Sequence, residues 1–220
     1  MTTSAQIRKL LKPLLGRHND LVLSGQWLIV LPVNHLVRFV LIDRTSSASH
    51  FRPIWGGWHL FDPEPGIGID VTRALPSNGS RCWQWSDPAI QDRLLPQIEQ
   101  ALPAIRAVGT IGDYLAFADD PLFWKGNPDD PHPRDLLFQV SVGNLEKARE
   151  LCARLEANRP RWANLGLYDD FVTPLASLVM AGDRGGIARQ LHAWEFERSR
   201  NPVVSRYWAR TPFPFELATS

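Results

Sequence analysis

Residues 35–60 read "HLVRFVLIDRTSSASHFRPIWGGWHL" and carry the pattern that decides the fold. Successive side chains of a β-strand point to opposite faces, and here both alternating sets are apolar. The sets are Val37, Phe39 and Leu41 on one face, and Leu36, Val40 and Ile42 on the other. This pattern predicts a central strand covered on both sides. The small polar residues "TSSAS" that follow leave no room for a crossover helix, so we expect an antiparallel sheet.

The glycine pair in "PIWGGWHL" admits two structural interpretations. In the first, Gly56 and Gly57 form the two-residue turn of a β-hairpin, because glycine adopts the positive φ that such a turn requires. Trp55 and Trp58 then face each other across the turn. In the second, the glycines form a bulge in one longer strand and re-aim Trp58 and His59. The sequence favours the hairpin turn.

A metal site in the same stretch would need His50 and His59 on one side, together with Asp62 or Glu64. The two histidines are nine positions apart, so strict alternation places them on opposite faces of a strand. No HxH or HExxH spacing is present. The sequence therefore predicts neither a metal site nor a cofactor.

Helices are predicted on both sides of this sheet region. Near the N-terminus, apolar residues at spacings of three and four predict an amphipathic helix that Ser4 caps and Gly16 ends. From residue 87 onward the helical period dominates. We therefore expect an α+β fold, with an N-terminal helix and antiparallel sheet packed against a C-terminal set of helical hairpins. Residues 1–86 form the α/β part with an antiparallel meander, residues 87–220 form the helical part, and the two make one continuous fold.

Two segments of the helical part resemble each other at an offset of 39 residues. They are "LLFQVSVGNLEKARELCARLEANR" and "LASLVMAGDRGGIARQLHAWEFER". In each, a glycine that can end a helix (Gly143, Gly182) precedes a residue that can cap the next one (Asn144, Asp183). After the turn the offset becomes 40. The pattern predicts two αα-hairpins, and the region resembles the helical-hairpin repeats of solenoid proteins.

The last segments of the chain are expected to be structural. "LHAWEFERSRN" is predicted to be a charged helix whose surface carries the ion pairs Glu195–Arg198 and Glu197–Arg200. The terminal stretch "YWARTPFPFEL" is expected to pack on the protein, because exposed aromatic side chains favour aggregation.

Composition excludes several classes of function. The formal net charge is +1, from 24 basic and 23 acidic residues, which argues against binding to nucleic acid. Two cysteines without CxxC spacing predict neither a disulfide framework nor a zinc site. The N-terminus does not resemble a signal peptide, and the longest apolar run is far shorter than the about 20 residues of a membrane span. We expect a cytoplasmic protein that does not bind membranes.

Catalytic motifs are not recognisable in the sequence. No GxSxG nucleophile elbow is present. The adjacent acidic pairs at positions 119–120, 129–130 and 169–170 suit loops and helix starts, where negative charge is stabilised. His132 could join the pair at 129–130 around a divalent ion, but a polar, proline-rich loop explains the same residues. No catalytic residue is assigned.

The order of landmarks along the chain resembles a family. These are "IRKLLKPLL", "HLVRFVLIDR", "FRPIWGGWHLFDPEPGIGIDVTRAL", "AIRAVGTIGDYLAFADD", "SVGNLEKARELCARLE" and "AWEFERSRNPVVSRYWARTPFPFEL". Together they resemble small bacterial α+β proteins of unknown function, some of which are immunity-type proteins found beside secreted toxins. The resemblance implies a protein partner and carries over no catalytic residues.

Two hypotheses for function follow. The first is a cytoplasmic module that binds another protein through aromatic side chains, since tryptophan is enriched at interface hot spots. Its partner-binding candidates are Trp55, Trp58, His59, Trp83 and Trp85. The alternative is a hydrolase or transferase with a cleft near His59 and Asp62. We favour the binding module.

Overall fold

The computed structural model describes residues 2–64, 71–77, 79–80, 82–118 and 131–217. Contacts group the chain into two compact units. The sheet unit comprises Met1–His59, Ile67–Gly109 and Asn201–Ala209, and the helical unit comprises Leu60–Gly66, Thr110–Arg200 and Arg210–Ser220. The change of apolar period in the sequence places the boundary between the two parts at residue 86. In the structure, residues 87–109 and the later segment 201–209 belong to the sheet unit as well.

The sheet unit is built on six antiparallel strands. They are β1 (Leu21–Ser24), β2 (Trp27–Val30), β3 (Leu36–Arg44), β4 (His50–His59), β5 (Val71–Ala74) and β6 (Trp83–Gln84). The strand order is β1-β2-β3-β4-β5, with β6 also paired to β4. The sequence prediction of an α+β fold with an N-terminal helix, an antiparallel sheet and C-terminal helices is thereby confirmed.

Strand β3 lies at the centre of the sheet and is buried from Leu36 to Ile42. Both alternating sets of side chains are excluded from solvent. Val37 and Phe39 on one face are 0% exposed, and so are Val40 and Ile42 on the other. The predicted central strand, covered on both sides, is confirmed.

Strand β4 corrects the hairpin prediction, because Gly56 and Gly57 lie inside one continuous strand. Its register with β3 is unbroken, so the glycines form neither a turn nor a bulge. Neither has a positive φ. A Cβ at position 56 would lie 2.0 Å from the carbonyl oxygen of Val71 in β5. Glycine is required there because a neighbouring backbone approaches closely, which is the other common reason for glycine within a strand.

Two helices belong to the sheet unit, α1 (Ser4–Arg17) and α2 (Ile90–Ala107). Thr3, rather than Ser4, caps α1, and its side chain and that of Gln6 form a reciprocal capping box. A bidentate ion pair links the end of α2 to the start of the sheet, with Arg106 Nε and Nη2 each 2.8 Å from the Asp20 carboxylate. This pairing holds the pKa of Asp20 below its usual value.

The helical unit contains seven α-helices among its described residues and one short π-helix. The α-helices are α3 (Ile111–Ala118), α4 (Pro133–Ser141), α5 (Leu145–Ala157), α6 (Arg159–Ala163), α7 (Thr173–Ala181), α8 (Arg184–Ser199) and α9 (Pro214–Leu217). The π-helix Tyr168–Val172 leads directly into α7.

The two predicted αα-hairpins are present, as α4–α5 and α7–α8, and their turns have the same hydrogen bonds. Gly143 and Gly182 have φ values of +81° and +67°. The residue after each glycine donates its backbone N–H to the helix that ends there, from Asn144 N to Gln139 O and from Asp183 N to Leu178 O, each at 2.9 Å. The side chain of the same residue caps the next helix, where Asn144 Oδ1 accepts from Lys147 N (3.3 Å) and Asp183 Oδ1 accepts from Gly186 N (2.8 Å). The internal repeat is therefore a repeat of structure as well as of sequence.

Within the described ranges, no helix has both the length and the apolar character needed to cross a membrane.

Candidate functional site

Three of the predicted partner-binding tryptophans lie in the core of the sheet unit. Trp55 is 7% exposed, and Trp58 and Trp83 are each 1% exposed. Trp58 packs edge-on against Trp27, with ring centroids 5.0 Å apart. None of these three partner-binding candidates has a side chain exposed to a partner: β4, which carries Trp55 and Trp58, is buried from position 53 to 59, and Trp83 lies on β6, which pairs with β4.

Trp85 is the predicted tryptophan that keeps partial solvent contact. Its ring packs against Phe51 at 4.3 Å, and its indole Nε1 donates to the Thr2 hydroxyl at 2.8 Å. Both contacts are made inside the sheet unit and fix the ring in place. Trp85 therefore joins the N-terminal segment to strand β4.

His59 and Asp62, the residues of the alternative enzymatic hypothesis, are both buried. His59 ends β4 in the sheet unit and is 0% exposed. Asp62 belongs to the helical unit and is 1% exposed. Among the described residues, no group of three or more histidine, cysteine, aspartate or glutamate side chains could hold a metal ion. Positions 129–130, which the sequence suggested beside His132, lie outside the described residues.

Asp62 is the buried centre of an ion cluster in the helical unit. Its Oδ2 lies 3.5 Å from Arg134 Nε on α4 and 3.8 Å from Arg198 Nη1 on α8. Arg134 also pairs with Glu64 at 2.7 Å. Arg198 Nε donates to the Glu64 carbonyl at 2.8 Å. Burying a carboxylate is costly unless opposite charges surround it, so these contacts anchor residues 62–64 onto two helices.

The ion pair predicted between Glu195 and Arg198 is not formed on the surface. Glu195 is fully buried, and its carboxylate lies 3.3 Å from the His192 ring. Arg198 is 8% exposed and turns toward the Asp62 cluster. The predicted pair Glu197–Arg200 is present and exposed, at 3.2 Å. Helical spacing alone does not reveal which charged positions face inward.

His132 caps helix α4. Its Nδ1 accepts a hydrogen bond from Arg134 N at 3.1 Å, and its own backbone N–H donates to Asp135 at 2.8 Å. Burial lowers the pKa of His132, and the nearby Arg134 guanidinium lowers it further. A neutral ring suits the cap, because a protonated Nδ1 could not accept the backbone hydrogen bond.

An open groove of about 460 Å³ lies on the sheet unit, lined by Leu75, Pro76, Gln97, Gln100 and Ala101. None of these five side chains titrates near neutral pH. The groove thus offers no acid, base or nucleophile for the hydrolase or transferase hypothesis.

Exposed large apolar side chains are a feature of the helical unit and not of the groove. Among the described residues, the large hydrophobic side chains that face solvent all belong to the helical unit. They are Leu165 (63% exposed), Met180 (63%), Phe196 (54%) and Leu217 (64%). No sequence signal distinguished them, since each stands in a helical or turn segment where an apolar residue is ordinarily buried.

The two hairpins of the helical unit contact each other at both ends of α5. Near its start, Arg149 Nε donates to the carbonyl of Val179 at 3.3 Å, in the last turn of α7. Near its end, Glu156 accepts a hydrogen bond from the Tyr168 hydroxyl, just before α7. Burial, together with the Glu156 carboxylate, raises the pKa of Tyr168 to about 12. Helix α5 therefore lies antiparallel to the continuous segment formed by the π-helix and α7, and is joined to that segment at two points.

Comparison with known proteins does not place the chain in a family. No protein-family model matches the chain, and no solved structure matches it. Over 126 residues, 57% of the chain, it is 27% identical to a probable methionine–tRNA ligase from Oryza sativa subsp. japonica. The matched segment covers 15% of the length of that protein.

Proposed function

We propose that the protein is a protein-binding module whose helical unit engages the partner. The observation that carries this proposal is the placement of Leu165, Met180, Phe196 and Leu217. All four are exposed on one compact unit, and a partner that covered them would remove their large apolar side chains from water, which is favourable. Stacked helical hairpins commonly serve as binding surfaces.

The proposed partner is another protein, bound in the cytoplasm. An immunity-type role, in which the partner is a toxin, is the form of this function that the sequence resemblance supports. Near-neutral net charge supports a protein partner over nucleic acid, since only one net positive charge is carried by 220 residues.

Neither hydrolase or transferase activity nor ligase activity is supported by exposed side chains in the same way. A hydrolase or transferase acting at His59 or Asp62 would need substrate to reach side chains that are at most 1% exposed. The Asp62 carboxylate already faces two guanidinium groups. Ligase activity is outside the proposal, because the similarity covers only 15% of the probable methionine–tRNA ligase.

A capture experiment tests the proposed function. The bait carries glutamine at all four exposed apolar positions, Leu165, Met180, Phe196 and Leu217. A matched control carries four glutamines on the exposed side of α1, at Ser4, Ala5, Lys9 and Lys12. Both are compared with wild type in a lysate of the source organism, after circular dichroism has shown equal folding.

We expect one stoichiometric protein to be captured by wild type and by the α1 control, and lost by the variant of the helical unit. Equal capture by all three baits, or no capture by wild type, would remove the helical unit as a binding surface. Loss with the α1 control alone would move the surface to the sheet unit.

A further inference from the structure

Arg38 is a charged residue within residues 36–42 of the central strand, which are otherwise apolar. Its neighbours on the same face of β3, Leu36 and Val40, are 5% and 0% exposed, and Arg38 itself is 9% exposed. Burying a charge costs free energy unless opposite charges and hydrogen bonds replace the lost hydration. The partners of the Arg38 guanidinium therefore decide whether this charge is fully compensated within the chain.

Hydrogen bonding occupies a single donor of this guanidinium. Nη2 of Arg38 donates to the Pro32 carbonyl at 2.8 Å. A guanidinium has two edges that each offer a parallel pair of N–H groups, one formed by Nε and Nη2 and the other by Nη1 and Nη2. Because Nη2 contributes one N–H to each edge, the bond to Pro32 leaves one edge complete. Within the described ranges, Arg38 makes no second hydrogen bond, so this edge is unused.

Acidic side chains do not neutralise Arg38 either. Asp20 is the acid whose charge acts on it, but the Asp20 carboxylate is engaged by Arg106 through two hydrogen bonds of 2.8 Å. In the part of the chain that the structure describes, Arg38 itself forms no ion pair. Burial lowers the pKa of the Arg38 guanidinium, as expected for a cation that loses hydration without gaining a counterion. Arginine nevertheless keeps its charge, so two guanidinium groups share the field of one carboxylate.

The strand register leaves one flank of Arg38 thinly covered. Strand β2 places Val30 directly opposite Arg38, and β4 places Gly57 there. Since glycine has no side chain, β4 contributes only backbone beside the guanidinium at this register position. Nε and Nη1 of Arg38, which make no hydrogen bond, are not sealed from solvent. A small ion can therefore reach the donors that the chain leaves unused.

We propose that the free edge of the Arg38 guanidinium binds an oxyanion, the carboxylate or phosphate group of a small ligand. Both groups present two oxygens that accept a pair of parallel N–H bonds. The apolar surroundings strengthen the attraction, because little water screens the charge. The inference goes beyond the proposed binding of a protein, since Arg38 lies in the sheet unit and the exposed apolar side chains of that function lie in the helical unit.

The arginine side-chain signals in NMR spectra test the site directly. In the full-length, ¹⁵N-labelled protein, the Nε–H signal of Arg38 is identified as the one that Arg38→Lys removes. Sodium phosphate and sodium acetate are titrated separately, and sodium chloride keeps the ionic strength constant. We expect the Arg38 signal to move saturably with at least one of the two anions. Saturation with phosphate alone assigns a phosphate site, and saturation with acetate alone assigns a carboxylate site.

Variants of Arg38 separate the paired N–H groups from the charge. Arg38→Lys keeps the charge without the fork and should weaken binding about tenfold, the loss of one charged hydrogen bond. Arg38→Gln should abolish binding. For both, binding is measured as the rise in Tm with the anion beyond that with chloride. Arg8→Gln is the matched control, because Arg8 is exposed on α1 of the same unit, and it should respond as wild type does.

An Arg38 signal that stays in place with both anions, or drifts without saturating, would overturn the site. An equal rise in Tm for wild type and Arg38→Gln would do the same, and Arg38 would then serve only to hold the Pro32 carbonyl. If Arg38→Gln does not fold, the wild-type titration and the comparison of Arg38→Lys with Arg8→Gln still decide. Capture of a protein partner through the helical unit is a separate result, since its test changes no residue of this site.

Discussion

Gly56 illustrates how a single missing side chain can set the spacing of a sheet. Its position leaves 2.0 Å between a Cβ and the carbonyl oxygen of Val71. Gly56→Ala should therefore lower the free energy of unfolding by about 3 kcal/mol or more, because backbone in the sheet must move. Urea unfolding measures the loss. Gly16→Ala is the control, since nothing lies within 4 Å of its Cβ and alanine favours a helix; a similar loss at both positions would contradict the close approach.

His132 predicts a pH dependence of stability. Its folded-state pKa lies below the value of 6.5 for a free imidazole, so the unfolded chain binds more protons as the pH falls. The stabilisation is complete above about pH 6.5 and is lost as the pH falls toward and through the folded-state pKa. Between pH 7.5 and 5.5, wild type should lose more stability than His132→Asn, which keeps a capping side chain without titrating. Equal slopes in thermal unfolding would show that His132 does not contribute.

At the scale of elements, the two hairpin turns share their hydrogen bonds but not their surroundings. Gly143 and Gly182 both have positive φ, which costs a substituted residue roughly 1 kcal/mol. A Cβ at position 143 would also lie 2.5 Å from Cβ of Phe215, whereas at position 182 it meets only the flexible end of Arg149 at 3.3 Å.

Gly143→Ala should therefore destabilise the protein by about 2–3 kcal/mol and Gly182→Ala by about 1 kcal/mol. Chemical denaturation of the two variants under one set of conditions makes the comparison. A larger loss at position 182 would mean that Phe215 does not pack on the first turn.

The turns were predictable and the ion cluster was not, for a physical reason. A glycine followed by Asn144 or Asp183 acts locally, because the cap and the bonds it satisfies lie within a few residues. The contact between Arg198 and the Glu64 carbonyl joins positions 134 apart in sequence. No rule of sequence spacing reveals such a pairing. Helical spacing therefore predicts an exposed Arg198, whereas the structure buries this side chain.

The tryptophans show a similar limit at β4. Alternation in β3 predicted burial on both faces correctly, since apolar residues filled both sets. In β4 the glycine pair decided the prediction instead of the alternation, because two glycines suit a hairpin turn as well as the close approach of a neighbouring backbone. Only the pairing of β4 with both β3 and β5 distinguishes the two, and in the continuous strand Trp55 and Trp58 are buried.

For the whole molecule, charge balance predicts how partner binding responds to salt. The net charge is +1, and the side chains that carry the proposed function are apolar. Charge pairs exposed to solvent are screened at high ionic strength, whereas apolar burial is not weakened by sodium chloride in this range. Capture by wild type should therefore be nearly the same at 0.1 M and about 0.5 M salt. Loss of the partner at the higher concentration would indicate a surface dominated by charge.

Residues 201–209 return to the sheet unit after most of the helical unit and before its last segment, Arg210–Ser220. Trp208 forms a parallel bridge with Val33, and Ala209 N donates to the Val33 carbonyl at 3.0 Å. During translation, the sheet unit therefore cannot form its contacts between Val33 and residues 208–209 until residue 209 has left the ribosome. Both units are discontinuous in sequence, so no single cut of the gene yields both of them intact, and a fragment library built on one cut would present at least one unit incomplete.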